Sequence, residues 1–210
     1  MDLSDLSESL RREFDDKTAA RERGLAGSRT AIRACGNAIR AMHRYEMDAA
    51  RELLGEAQDQ LDGARDALSS HVDILHAGFI HDAEKELVEA RVFLSLITGE
   101  PFSSPESLGV PPSAFVKGMA ESIGELRRHI LDLMRQGELE RGEQLLGAMD
   151  DMYYVLVSMD YPDGITFGLR RLTDVARGII ERTRGDFTTS VIQSNLRAAL
   201  QQHADQIEGL

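Results

Sequence analysis

Three acids fall where a buried helical seam would be apolar. Arranged in heptads, residues 72–98 carry Val72, Phe79, Glu86 and Phe93 in one column and Leu75, Asp82, Glu89 and Leu96 in the next. Residues three and four apart share a helix face, so Asp82, Glu86 and Glu89 converge if the segment is one helix. Carboxylates brought together away from water repel one another and lose hydration. They persist only when protonated, paired or neutralised by a cation. An all-oxygen set of this kind suits Mg2+ or Mn2+. A rotated helix would instead leave the same acids solvated, with Lys85 and Arg91 as partners, and periodicity alone does not separate the two. A di-iron centre needs Glu-x-x-His pairs, and none of the six histidines has a glutamate three residues before it.

The second anomaly is basic. No acid occurs between Arg23 and Tyr45 in a chain that has 36 Asp and Glu and a net charge of −12. Within that stretch Arg29, Arg33, Arg40 and Arg44 lie within about 60° of one another at helical spacing, a stripe that can track a phosphate backbone. Asp59, Asp62 and Asp66 on the following segment are the alternative partners. A globally acidic protein needs such a local patch to bind nucleic acid at all.

The elements that must position these groups are helical throughout. Aromatics make up 5% of residues, Trp is absent, and Leu, Ala and Met carry the apolar load, a composition for packed helices rather than sheets. Four of the five prolines lie between 101 and 112, and proline costs about 3 kcal/mol inside a helix. The first hundred residues are therefore free to form long helices. The spacing predicts helices over 4–44, 46–69, 72–98, 112–137, 138–159, 165–184 and 187–206. Leu25, Ile32 and Ile39 are expected to face inward on the first. A short loop spans 99–111. The expectation is an all-α antiparallel bundle of about seven helices in one domain, 1–210. Cys35 is alone, so an intrachain disulfide is excluded; it lies on the apolar seam of the first helix as a core residue. An acidic N-terminus without a signal-peptide core and the lack of an apolar run of roughly 20 residues predict a soluble, cytoplasmic protein with no membrane contact.

Several stretches, in order, resemble the translin and translin-associated factor X family. They are Lys85-Glu86-Leu87-Val88-Glu89-Ala90, Gly109-Val110-Pro111-Pro112, Ser122-Ile123-Gly124-Glu125-Leu126-Arg127-Arg128, Gln136-Gly137-Glu138, and Gly168-Leu169-Arg170-Arg171-Leu172 leading to Arg184-Gly185. The resemblance covers roughly residues 20–190. It implies a translin-like helical protomer that assembles into a closed homo-octameric shell and binds single-stranded RNA or DNA. In the factor X branch it implies a Mg2+- or Mn2+-dependent endoribonuclease site on the inner surface, built from the two glutamates of a Glu-x-x-Glu motif and an aspartate on a later helix. The glutamates carry over to Glu86 and Glu89. For the aspartate, the apolar pattern Leu145, Leu146, Met149, Tyr153 favours Asp151, with Asp150 beside it.

The expectation is thus a hydrolase of single-stranded RNA. Glu86, Glu89 and Asp151 are its catalytic acids, Asp150 and Asp82 are further candidate metal ligands, and Arg29, Arg33, Arg40 and Arg44 hold the strand. A shell that binds nucleic acid without cleaving it and a helical scaffold that binds none are the alternatives. Salt-sensitive oligonucleotide binding and metal-dependent cleavage separate the three.

Overall fold

Helix α1 begins where Asp2 caps it, its carboxylate accepting the Ser4 N–H at 3.1 Å, and runs from Leu3 to His43. In the computed structural model, which describes residues 2–208, the chain turns through Tyr45 at φ +63° into α2, Met47–Leu68. Small residues let the two helices approach. Ala20, Gly24, Ser28, Ala31, Ala34, Cys35 and Ala38 are buried on α1, and Ala50, Leu54, Ala57, Leu61, Ala64 and Leu68 on α2. A Cβ on Gly24 would lie 2.6 Å from the Leu68 side chain, so this crossing requires glycine. Ile39 is buried as expected, whereas Leu25 and Ile32 are only half-buried.

The third expected helix is two. A single turn, α3 (Val72–Leu75), ends before Ala77, which is extended at φ −69° and ψ 144°. Then α4 runs from Gly78 to Thr98 and stops at Gly99 in the left-handed region, φ +77°. Helix α4 packs on both α1 and α2 through Ile80, Ala83, Leu87, Val88, Ala90 and Phe93. The proline-rich loop carries one turn, α5 (Pro105–Leu108), capped by Ser104.

Helix α6 spans Pro112–Gln136, with proline at the first position, where its missing N–H costs nothing. Helices α7 (Leu139–Ser158), the single turn α8 (Asp163–Thr166) and α9 (Leu169–Glu208) follow. A break was expected near Gly185, but α9 passes through it. A lone glycine costs a helix only about 1 kcal/mol relative to alanine, and tertiary ties hold the helix on either side. Thr183 accepts from Arg127 Nη1 at 3.1 Å, and Asp186 accepts from Arg127 Nη2 at 2.7 Å. Phe187 is buried against Gly142.

The chain forms two compact units, 1–119 and 120–210, the division falling inside α6. The first is built on α1, α2 and α4; in the second, α9 packs on α7 and α8. Among the described residues there is no strand, and no helix is long and apolar enough to cross a membrane.

Candidate metal centre on helix α4

Helix α4 carries acids on two of its faces. Its inward stripe is Ile80, Ala83, Glu84 and Leu87, so the buried acid is Glu84, which the heptad columns passed over. Arg65 of α2 answers it, with Nη2 at 2.7 Å and Nε at 3.2 Å from Glu84 Oε1. Arg65 Nη1 also reaches Asp62 at 2.8 Å. Burial still pushes the Glu84 carboxyl above its ordinary range, against the pull of the guanidinium.

Glu86 and Glu89 sit on the flank of α4, half-buried, and Asp82 is exposed. Asp82 is on the same helix, one turn before Glu86, but on its exposed side, so the expectation that it joins them is corrected: the convergent group does not include it. The break at Ala77 takes Val72 out of the first column. Val72 is 59% exposed.

A third carboxylate completes the group. One ligand oxygen from each of Glu86, Glu89 and Glu121 of α6 lies within 4.8 Å of the others. Gly118, one turn earlier on α6, makes the approach possible. A Cβ there would stand 2.5 Å from the Lys85 carbonyl and 2.6 Å from Val88 Cβ, so α6 rests against the backbone of α4 at the start of the Glu86–Glu89 turn. Two oxygens on one ion at Mg–O distances of about 2.1 Å are at most about 4.2 Å apart, so small side-chain rotations would bring all three onto a single cation. The donor set is hard oxygen only, which fits Mg2+ or Mn2+.

Cys35, fully buried on α1, registers the local field. Its thiol is pushed up to about 12, first by burial and then by the charges of Glu86 and Glu89, with Arg91 opposing. It stays a neutral core thiol. Lys85 Nζ lies 3.2 Å from Glu86 Oε1.

The two aspartates expected from a later helix are placed differently. On α7, Asp150 is half-buried and bound by Arg184 Nη2, at 2.5 and 2.6 Å from its two oxygens, while Asp151 is exposed. Neither belongs to the convergent group. Glu121 carries no sequence signal of its own, because it lies on α6, more than 30 residues from Glu86 and Glu89 on α4. Its position three residues after Gly118, on the same face, marks it only once the fold is known.

All four arginines of the stripe are exposed, Arg29, Arg33 and Arg40 on α1 and Arg44 at its C-cap. Arg44 is held by Glu46 through Nε at 3.0 Å and Nη2 at 2.7 Å, and Arg40 by the Asn37 amide oxygen. Arg29 and Arg33 have no ion-pair partner among the described residues. The acids of α2 therefore do not consume the stripe.

No family model matches the chain. An uncharacterised protein of Methanocaldococcus jannaschii is 29% identical over 189 residues, 89% of this chain and 83% of that protein. The structure of an AfC3PO–duplex RNA complex and the crystal structure of AfC3PO are each 33% identical with a TM-score of 0.82. They cover 89% of this chain and 96% and 97% of theirs. The crystal structure of apo-NeC3PO matches with a TM-score of 0.78 over 87% of this chain and 96% of its own; at 19% identity it speaks to the fold alone.

Proposed function

The chain belongs to the translin and C3PO family, and from that premise we propose that it is an RNA-binding protein with a divalent-metal-dependent endoribonuclease site. The observation that carries the catalytic part is the convergence of Glu86, Glu89 and Glu121. Two of these are the Glu-x-x-Glu pair whose resemblance to the catalytic branch was read from sequence. Glu121, rather than Asp150 or Asp151, is the third acid in this reading. These residues would hold one or two Mg2+ or Mn2+ ions, which when bound supply an activated water and stabilise charge on the attacked phosphate.

The protein's own contribution is electrostatic and positional. Three half-buried carboxylates repel a phosphodiester, so they cannot grip the strand themselves, and the grip comes from cations elsewhere. Arg29 and Arg33, uncommitted on α1, are the strongest members of the stripe for that task. AfC3PO was solved with duplex RNA, which supports RNA as the ligand and makes duplex as well as single strands a candidate substrate.

Assembly into a homo-oligomer, an octamer in this reading, is supported by uncovered apolar residues at helical spacing at both chain ends. Leu3, Leu10 and Phe14 are exposed on α1, and Ile192, Leu196, Leu200 and Ile207 on α9. An isolated helix needs such faces packed to be stable, and closed symmetry is the usual way to cover them.

The test is one gel: labelled single-stranded and duplex RNA with purified protein in Mg2+, Mn2+ or EDTA. Cleavage in Mn2+ that stops in EDTA supports the proposal. Binding without cleavage in any metal would leave a non-catalytic RNA-binding shell.

A further inference from the structure

A cleft of about 700 Å³ lies in the second unit, between the end of α7, the α8 turn and the start of α9. None of its lining residues belongs to the acid group of α4 or to the arginine stripe. Pro162 starts the chain around it: its carbonyl accepts the Ile165 N–H at 2.8 Å, and the Asp163 carbonyl accepts the Phe167 N–H at 2.7 Å. Phe167 at φ +51° and Gly168 at φ +84° then reverse the chain into α9, which leaves a gap beneath the turn. Leu156, Thr166 and Leu169, all buried, form the floor. Half-buried Tyr153 of α7 and exposed Tyr161 of the turn add aromatic walls. A volume of this size, with an apolar floor and a few polar groups, suits a small molecule.

The polar lining decides which one. Three carboxylates, Asp160, Asp163 and Asp174, stand against a single cation, Arg170. That cation is already met by Asp160 Oδ1 at 3.2 Å, whereas Asp163 and Asp174 make no ion pair among the described residues. Arg177, one turn after Asp174, is bonded to Glu181 at 2.9 Å. The cleft thus repels phosphate, so neither a nucleotide nor an RNA backbone fits it, and it attracts a cation. A bare metal ion is the wrong size. Among the described residues the carboxylates that converge closely enough for one are Glu86, Glu89 and Glu121. An organic cation matches the whole lining, because ammonium groups pair with carboxylates and with tyrosine ring faces, and methylenes cover the leucines.

We infer that this cleft binds a linear aliphatic polyamine, its ammonium groups on Asp163 and Asp174 and its methylene chain over Tyr153 and Leu156. The site is separate from the RNA-binding reading and does not depend on it. Two unanswered acids select a ligand with at least two ammonium groups, and the aromatic wall distinguishes an amine from a hydrated inorganic ion.

The experiment is calorimetric titration of spermidine into the full chain at low salt without RNA, with tyrosine fluorescence followed in parallel. The chain has no Trp and four Tyr, and Tyr153 and Tyr161 line the cleft, so a ligand there changes the emission. Spermidine should saturate at one per chain, and Mg2+ at the same concentration should not displace it. Asp163→Asn with Asp174→Asn should weaken binding roughly tenfold; both residues are exposed, so the fold should be unaffected. Tyr153→Leu should weaken it about threefold, while Tyr153→Phe, which keeps the ring, should bind like wild type. Asp59→Asn with Asp66→Asn removes the same charge from exposed positions on α2 and should leave binding unchanged. Equal weakening in the two Asn pairs would mean general attraction to an acidic protein and overturns the site, as does the absence of saturable binding. Guanosine binding that Tyr153→Leu abolishes, in a chain that ignores spermidine, also overturns it and gives the cleft to a nucleobase.

Discussion

Glu84 and the pair Glu86 and Glu89 lie within two turns of one helix, yet they are handled in opposite ways. Glu84 is buried and is met by two nitrogens of Arg65, so its charge is answered inside the fold. Glu86 and Glu89 are left half-buried, turned toward each other and toward Glu121. Glu84 meets a guanidinium, whereas Glu86, although Lys85 lies 3.2 Å from it, also faces two further carboxylates. The difference shows in what happens when charge is removed, because one site loses a partner and the other loses a repulsion.

The largest expected effect is on activity. Glu86→Gln or Glu89→Gln should abolish Mn2+-dependent cleavage, by on the order of 10³-fold or more, while thermal stability without metal holds or rises. Glu121→Gln should do the same and Asp151→Asn should not; single-turnover cleavage and melting curves on the same preparations decide it. If Asp151→Asn inactivates and Glu121→Gln does not, the convergence on α4 is not the catalyst.

Glu84→Ala should act on stability instead. It leaves the Arg65 guanidinium buried without its main partner, a loss of about 3–5 kcal/mol, read by urea denaturation. Replacing both members, Arg65→Met with Glu84→Leu, should be close to neutral by the same reasoning. The pH dependence has a definite sign. Because the folded-state pKa of Glu84 is raised, its contribution to stability is present below the ordinary carboxylate range and is lost as pH rises through the raised value. The double variant should lack that loss.

A smaller effect is expected at Gly118. Alanine there meets backbone and a β-branched side chain at 2.5 and 2.6 Å, and over-packing of this kind costs about 1–3 kcal/mol. Cleavage should fall with stability, since the contact seats α6 on α4. Gly185→Ala gives the smallest effect and the opposite sign. Nothing lies within 4 Å of the new Cβ, so the helix should gain up to about 1 kcal/mol. A destabilised protein would mean that α9 does need its glycine.

What sequence alone determined was the helical class, most of the helix boundaries and the placing of Glu86 and Glu89 on one helix. Proline confined to one loop and to Pro162, together with apolar residues at spacings of three and four, is local information, and helices are built from local hydrogen bonds. The ends of α2, α6 and α7 fall within a residue or two of where their caps and glycines place them. Continuity was harder. The break at Ala77 and the run through Gly185 depend on whether neighbours hold the chain, as Arg127 and Phe187 do for α9, and such contacts come from residues distant in sequence. The choice of acids was tertiary in the same way. Only the packing of α2 beside α4 makes Glu84 a paired structural group, and only the approach of α6 at Gly118 brings a third carboxylate to Glu86 and Glu89. A charge has no fixed meaning in sequence; the counterion it meets after folding decides whether it stabilises the protein or waits for a ligand.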